Sequence, residues 1–439
     1  MNVNSCPTRG AKRYFPALAA LLLVGLSVLS NSSEAGKYAY GEDFVRLGKS
    51  WPDAGPQYPT AVEQGNPAQK NDFQLQLAAV EDQEGPYSDA LAEPLASLGR
   101  YYRNSGDLEQ ATLLYRRALH VVRINDGLYS ERQIPVLQEL LDVYRVSGDM
   151  ETLDQRYAYY FRLYGKGQPP YTQVRLRAAL GYLRWQREAL RRGMDDSAHR
   201  RLMDLYQLNE NLLKATATDS SVSPGQYREV VLSQIRNLYL LEDRIRPRLE
   251  NIGRVSSAPA FAGPIEQQDL DRRRLESLQK SSFSRGKGLL LELIARQEKT
   301  GDVEALAGLH LELGDWHQWH GNASRAGQQY AQVQELLMAG GQQALLQKWL
   351  GQPVELPDNG AFWQPPAATP EESPVVLKVA YDVSASGRVS NLESPIEDPN
   401  LKSKAIRLKR ALKQIRFRPR WINGAAEAAR VQRDYQLLD

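Results

Sequence analysis

The chain has 439 residues, of which 42% are apolar and 24% are charged, and its formal net charge is +3. This length exceeds that of one compact core and predicts at least two structural units. The composition is that of an ordinary globular protein. A net charge this small, for this length, does not by itself imply nucleic-acid binding, so any basic signal must be local.

The first 35 residues predict a secretory signal peptide. Basic residues precede an apolar run over residues 15–29, and Ala35 suits a cleavage position. The run is shorter than the ~20 apolar residues of a membrane-spanning helix; an uncleaved anchor is the alternative. The single cysteine, Cys6, lies in this segment. Cleavage after Ala35 therefore leaves a chain without disulfides or cysteine-bound metal.

Two kinds of segment follow the signal. Residues 36–72 contain four prolines among scattered aromatic residues, which predicts an irregular lead-in. Residues 73–350 have helical periodicity. The clearest helices flank a corner where Gly106 suits the left-handed position that ends one helix and Asp107 suits the cap of the next.

This corner and its flanking helices recur. A second Gly-Asp pair stands at Gly148 and a third at Gly301, and Leu-Gly, aromatic and Ala positions accompany them. At these offsets the units resemble the tetratricopeptide repeat. The resemblance implies stacked helix pairs with a concave surface that binds peptides or proteins. Most of the aromatic residues are expected to pack between helices, and the candidate partner-binding residues near the concave face are Tyr102, Tyr115, Tyr144 and Tyr157.

Two breaks are predicted in the second half of the chain. Residues 251–267 are rich in Gly, Pro, Ser and Ala and form the longest internal loop candidate. Residues 351–374 contain six prolines, which predicts a stiff linker and a domain boundary.

Beyond this boundary the pattern changes from helix to strand. Residues 375–383 are β-branched and partly alternating, a turn follows at Gly387, and residues 389–392 form the returning strand. A helix with an apolar seam from Leu401 to Ile415 comes next. Residues 431–437 make a last strand, so the order predicts a small α+β domain (ββαβ) over residues 375–439.

Several spaced motifs in this domain resemble the carboxyl-terminal domain of the TonB family. They are Tyr381-Asp382-Val383, Gly387, Arg388-Val389, Ala411-Leu412, Arg416-Phe417-Arg418-Pro419 and Gly424. The resemblance covers about 374–439 and implies binding to the periplasmic face of outer-membrane receptors, through a last strand at the sheet edge that pairs with a receptor segment. The candidate contact residues on that strand are Arg430, Gln432, Asp434 and Gln436.

The rest of the chain departs from the energy-transducing members of that family. Those members keep their first helix as an anchor with a Ser and a His, whereas here no His precedes His120 and the apolar run has the features of a cleavable signal. Helical repeats and a short linker replace the long Pro-rich spacer. These departures argue against force transduction.

Two clusters allow more than one interpretation. Nine basic residues without an acidic one lie between Pro399 and Ala426, and they suit an anion-binding face for phosphorylated lipid, lipopolysaccharide or nucleic acid, or the solvated side of an amphipathic helix. The apolar seam accounts for the helix and favours the solvated side. The second cluster is His310, His317 and His320, which could ligate zinc or pack between helices. Packing is favoured because Trp316 and Trp319 stand beside His317 in the sequence.

The sequence predicts a mostly α protein with a tetratricopeptide-like array over 73–350 and a TonB-like domain over 375–439. We expect a non-enzymatic periplasmic adaptor or scaffold that contacts envelope proteins, including an outer-membrane receptor. No cofactor, metal or nucleic acid is expected, and membrane contact is expected only through a partner or an uncleaved signal. The alternatives are a membrane-anchored TonB-type energy transducer, which a mature amino terminus near Gly36 would exclude, and an envelope enzyme within residues 171–268.

Overall fold

The computed structural model describes residues 44–46, 67–194, 198–252, 267–362, 375–393 and 401–437. The chain forms two units, Met1–Ala35 and Gly36–Asp439, and all described residues belong to the second. The described part is mostly helical, with a small strand-containing region at its carboxyl end. The predicted signal peptide lies outside the described residues. No described helix is long and apolar enough to cross a membrane.

The helices are α1 (Pro67–Glu84), α2 (Ala92–Asn104), α3 (Leu108–Asp126), α4 (Gln133–Val146), α5 (Met150–Leu163), α6 (Gln173–Arg191), α7 (Ala198–Thr218), α8 (Pro224–Ile252), α9 (Gln267–Gln297), α10 (Val303–Trp319), α11 (Ala323–Ala339), α12 (Gln343–Leu350) and α13 (Lys402–Gln414). The strands are β1 (Phe44–Arg46), β2 (Val354–Glu355), β3 (Val376–Val383), β4 (Val389–Glu393), β5 (Phe417–Arg418), β6 (Arg420–Ile422), β7 (Ala425–Glu427) and β8 (Ala429–Leu437). Helix α1 begins earlier than the expected Phe73. The predicted loop over 251–267 lies between the end of α8 and the start of α9, mostly outside the described residues.

The predicted Gly-Asp corners are confirmed. Gly106 ends α2 with a φ of +85°, and the Asp107 side chain accepts a hydrogen bond from the Gln110 backbone N–H at 3.1 Å at the start of α3. The other two corners have the same geometry, with φ values of +77° at Gly148 and +73° at Gly301. The following aspartate caps the next helix in each case, so local chemistry fixes these connections.

Glycines inside two helices mark close crossings with the following helix. A Cβ atom on Gly99 of α2 would lie 2.8 Å from the ring of Tyr115 on α3. On α10 a Cβ atom at Gly314 would lie 2.5 Å from the ring of Tyr330 on α11. Only a residue without a side chain lets these rings approach, which gives the Leu-Gly and Tyr positions of the sequence pattern a packing role.

The hydrophobic core continues from the helices into the carboxyl-terminal region. One cluster of buried side chains extends through α2 to α6, and another joins α10, α11 and α12. The largest contains Leu313 and Trp316 of α10 together with Val379 of β3 and Leu412 of α13. The helices and the strands therefore share a core.

Strands β3, β4 and β8 with helix α13 form the predicted ββαβ order. The main sheet is antiparallel with the order β1-β8-β3-β4, and Val379 pairs with Arg433 in its centre. Leu408 and Leu412 of α13 are buried in the same cluster as Val431 and Tyr435 of β8. Two further two-stranded sheets accompany the main sheet, one formed by β2 and β5 and the other by β6 and β7.

The expectation that the last strand lies at the sheet edge is wrong. Strand β8 pairs with β3 over residues 429–436, and on its other side residues 435–437 pair with β1. The residues of β1 come from the segment that the sequence suggested was irregular. Three residues are too few for an alternating pattern to reveal a strand.

The predicted linker also needs correction over residues 351–362. Strand β2 pairs Val354 with Arg418, the Leu356 N–H donates to the Arg416 carbonyl at 2.9 Å, and Phe362 is buried. Prolines stiffen this segment, but its apolar side chains belong to the core. Residues 363–374 of the predicted linker lie outside the described residues.

Candidate functional site

A cleft of about 630 Å³ lies between helices α4, α6 and α8, with two tyrosines of α5 also lining it. Its walls combine apolar residues, such as Leu180 and Leu232, with carboxylates and arginines. A cleft of this size and mixed lining suits a segment of another molecule. This cleft is the candidate functional site of the described part of the chain.

Capping interactions fix where two of these helices begin. Ser223 and Gln226 form a reciprocal capping box at the start of α8: the Gln226 N–H donates to Ser223 Oγ at 3.3 Å, and the Ser223 N–H donates to Gln226 Oε1 at 2.8 Å. Pro224 occupies the first turn, where its missing N–H costs nothing. Thr172 Oγ1 accepts the Arg175 N–H at 3.4 Å and starts α6.

The wall formed by α4 is acidic. The pKa of Asp142 is raised to about 6, mainly by burial and also by the nearby Glu139 carboxylate, while the charges of Arg145 and Arg103 oppose the increase. Glu139 forms an ion pair with Arg103 and accepts a hydrogen bond from the Tyr115 hydroxyl at 3.4 Å. The Asp142 carboxylate therefore changes charge at mildly acidic pH.

The wall formed by α6 is basic. Arg177 and Arg184 line the cleft and form no hydrogen bond or ion pair within the described part of the chain. Arg184 lowers the pKa of Asp142 through its charge. The charge of Arg177 lowers the pKa of the Tyr160 hydroxyl and opposes the increase caused by burial. Guanidinium groups bind carboxylates through two parallel hydrogen bonds, so these two are suited to a ligand with an acidic group.

Tyr157, which lines the cleft, belongs to a network of buried side chains. Arg145 donates to Glu188 at 3.1 and 2.8 Å and to the Tyr157 hydroxyl at 3.2 Å. The Tyr157 ring stacks on Trp185 with 5.1 Å between centroids. These side chains are buried and already paired, so the network holds Tyr157 in place at the cleft.

Two further arginines tie α8 to its neighbours. Arg187 of α6 donates to Ser233 Oγ at 3.0 Å and to Asn237 Oδ1 at 3.1 Å on α8. Arg236 of α8 donates through Nε to the Asn359 carbonyl at 2.7 Å. The cleft is thus built on helices whose relative positions are fixed by hydrogen bonds.

The four tyrosines suggested by the sequence are mostly packing residues, as expected for most of them. Tyr115 is fully buried, and Tyr144 and Tyr157 are each 4% exposed. Tyr102 is half-buried and lies beneath the Lys70 ammonium, 5.0 Å from its ring centroid. Of the four, Tyr157 alone lines the cleft.

The four suggested residues of the last strand alternate with Val431 and Tyr435, which are buried in the core. Their side chains therefore lie on the sheet face opposite α13. Arg430 donates to Asp382 at 3.2 Å and also pairs with Glu393, Gln432 is exposed, Asp434 is half-buried, and Gln436 is buried.

The cleft residues were missed because the sequence interpretation followed the aromatic positions. On α4 the lining residues Pro135, Gln138, Glu139 and Asp142 recur at helical spacing beside the buried apolar stripe. On α6 the polar lining residues Arg177, Arg184 and Arg187 also recur at helical spacing. Such a stripe is the signal by which the cleft faces of these helices are recognisable in the sequence.

The three histidines weighed as zinc ligands make packing and hydrogen-bond contacts, and His317 and His320 both pack against the Phe283 ring. His310 Nδ1 lies 2.8 Å from Gln329 Oε1, and His320 Nε2 lies 2.7 Å from Glu242 Oε1. Burial lowers the pKa of His317. Across the described ranges, no group of three or more His, Cys, Asp or Glu side chains is placed to hold a metal ion.

Comparison with known proteins found no family model and no curated protein that matches the chain. The tetratricopeptide and TonB resemblances therefore rest on the sequence motifs.

Proposed function

We propose that this protein is a non-enzymatic binding adaptor of the bacterial cell envelope, exported to the periplasm, whose cleft between α4, α6 and α8 takes an extended segment of a partner protein. Its helical part is a tetratricopeptide-like array. This is supported by the three Gly-Asp corners and by the two Gly–Tyr crossings at Gly99 and Gly314.

One observation carries this proposal. The cleft presents two arginines, Arg177 and Arg184, that make no hydrogen bond or ion pair within the described residues, opposite a wall that carries Asp142. A peptide with an acidic side chain satisfies these guanidinium groups, and Leu180 and Leu232 offer apolar contact to its neighbouring residues. Nothing in this binding mode requires a reaction.

The carboxyl-terminal region is the second proposed contact surface. Its ββαβ order supports a TonB-like domain that contacts an envelope protein, including an outer-membrane receptor. Since β1 covers the end of β8, pairing with a partner strand would use an outer strand of the described sheet, such as β4. The exposed side chain of Gln432 lies on the sheet face opposite α13 and is open to contact.

Site-directed photo-crosslinking in envelope extracts tests the use of the cleft. A crosslinking residue at Gln138, exposed in the cleft, should capture a partner, and one at Gln155, exposed on α5 outside the cleft, should not. Arg184→Glu should lower the yield from position 138 by about tenfold or more, because it replaces a charge-assisted contact with repulsion. Arg200→Glu makes the same change in charge at an exposed position outside the cleft and should leave the yield unchanged.

Two outcomes would contradict the proposal. One is equal capture from positions 138 and 155, which indicates non-specific contact. The other is an unchanged yield from position 138 in the Arg184→Glu variant, provided that its melting temperature matches that of the parent protein.

A further inference from the structure

Helix α13 buries one side and exposes a cationic stripe on another. Its buried side chains are Ala405, Leu408 and Leu412, which cover the sheet. A second stripe of residues with helical spacing runs along another side of the helix. It is about 17 Å long, at a rise of 1.5 Å per residue. The residues of this cationic stripe are Lys402, Ile406, Lys409, Arg410 and Lys413.

Within the described ranges, no acidic side chain pairs with the charges of the stripe. The helix carries six basic residues and no acidic one, which exceeds the net charge of +3 of the whole chain, so the rest of the chain is net negative. The four basic residues of the stripe make no ion pair or hydrogen bond with any described residue. The positive charge is therefore local and accessible.

Two features of this arrangement work against the stability of the helix, although Lys413 in the last turn suits the helix dipole. Lys409 and Lys413 are four residues apart, a spacing at which like charges repel. Lys402 stands in the first turn, where the helix dipole favours an acidic residue. By contrast, other members of the basic run have structural partners: Arg418 is buried against Asp315.

The position of Ile406 distinguishes a bilayer from other anions. Its side chain is 43% exposed, and it lies within the stripe with basic residues on either side along the helix. A basic helix face that carries an exposed apolar side chain matches the boundary between anionic headgroups and acyl chains. The helix has no aromatic residue on which a nucleic-acid base could stack.

We propose that the cationic stripe of α13 docks the protein directly on a bilayer surface that carries anionic phospholipid headgroups. The basic side chains contact the phosphates, and Ile406 enters the headgroup boundary. This contact goes beyond the adaptor function and beyond the membrane contact through a partner that the sequence suggested. It depends on neither the cleft nor a second protein.

Co-sedimentation with vesicles tests this proposal. The protein is mixed with vesicles of phosphatidylcholine alone or with vesicles that also contain phosphatidylglycerol. The readout is the increase in binding that the anionic lipid produces. This difference is used because the apolar run over residues 15–29, if it is retained, would bind both kinds of vesicle. Reversing the four basic residues of the stripe to Glu should lower this gain by about tenfold or more. Raising the salt from about 0.1 M to about 1 M should abolish it in the parent protein.

A matched control reverses four exposed basic residues elsewhere in the chain and should keep the binding gain. These residues are Lys166, Arg200, Lys299 and Lys348. Ile406→Ser should weaken vesicle binding several-fold and leave binding to soluble polyphosphate unchanged.

Three results would overturn the proposal. The first is a loss in the control as large as in the stripe variant, and the second is a binding gain that survives high salt. The third is tighter binding of duplex DNA than of anionic vesicles, which would identify the stripe as a nucleic-acid face. Circular dichroism of each variant establishes that it is folded, and replacement by Gln provides a second set if the Glu set unfolds.

Discussion

Arg418 shows how a residue that the sequence places in an exposed basic run acts as a buried anchor. Its side chain is 2% exposed and donates to Asp315 at 2.8 and 2.5 Å, to Asp358 at 3.1 Å, and to the Trp349 carbonyl at 2.8 Å. Composition and periodicity gave no sign of this role, because the partner Asp315 is 103 residues away in the chain. Whether a charge is buried depends on such distant partners.

Replacing Arg418 tests this anchor. Arg418→Met should lower the free energy of unfolding by about 3–5 kcal/mol, because it leaves the buried Asp315 carboxylate without its counter-charge. Arg420→Met removes an exposed pair with Glu427 and should cost about 1 kcal/mol or less. Urea unfolding measures the free energy of unfolding of both variants. Equal decreases would show that the buried pair stabilises the fold no more than the exposed pair does.

Asp142 gives a prediction about pH. Its pKa of about 6 in the folded protein exceeds the value of about 3.9 expected in the unfolded chain, so the folded state binds the proton more tightly. Stability should therefore fall as the pH rises from about 4 to about 6 and then stay level with respect to this group.

The substitution Asp142→Asn removes this titration. It should raise the free energy of unfolding at pH 8 by about 1–2 kcal/mol, with the advantage vanishing below about pH 4. Asp82→Asn, at an exposed position on α1, makes the same change of side chain and is the control substitution. A constant effect of Asp142→Asn across the pH range, measured by thermal unfolding, would argue against the raised pKa.

At the scale of the helix, two glycines that look alike in the sequence have opposite roles. Both Gly99 and Gly181 follow a leucine inside a helix, but a Cβ atom at Gly99 would meet the Tyr115 ring at 2.8 Å, and one at Gly181 would meet nothing within 4 Å. Gly99→Ala should cost about 1–3 kcal/mol through overpacking. Gly181→Ala should be neutral or gain up to about 1 kcal/mol from helix propensity. Similar effects of the two substitutions on the melting temperature would refute the close crossing.

The elements that could be predicted from the sequence are those with local causes. The corner at Gly106 was predictable because a left-handed glycine and a capping aspartate act within a few residues. Strand β1 was not, since its place follows from pairing with β8 and from an ion pair between Arg46 and Glu355, 309 residues apart. The same reason hid the cleft: each lining residue was expected on a helix, but packing between distant helices decides that α4, α6 and α8 face one another.

On the scale of the whole described unit, contacts between α10 and the carboxyl-terminal strands replace the separate domain that the prolines suggested. Gln318 of α10 donates to the carbonyls of Ser386 at 2.8 Å and Phe417 at 3.0 Å. The buried Glu355 of β2 accepts hydrogen bonds from the hydroxyls of Tyr381 and Tyr435. These contacts join helix and sheet through polar groups that would be left unsatisfied if the two parts separated.

This shared core predicts that the helical and carboxyl-terminal parts fold as one cooperative unit. After cleavage at a protease site introduced within residues 363–374, the two fragments should elute together in size-exclusion chromatography. The contacts of Arg418, Gln318 and β2 do not depend on that peptide connection. Hydrogen exchange should give similar opening free energies for amides in α10 and β3. In the Arg418→Met variant the cleaved fragments should separate at a lower urea concentration than in the parent protein. Release of a freely eluting fragment from the parent protein under native conditions would show that the carboxyl-terminal region is an independent domain after all.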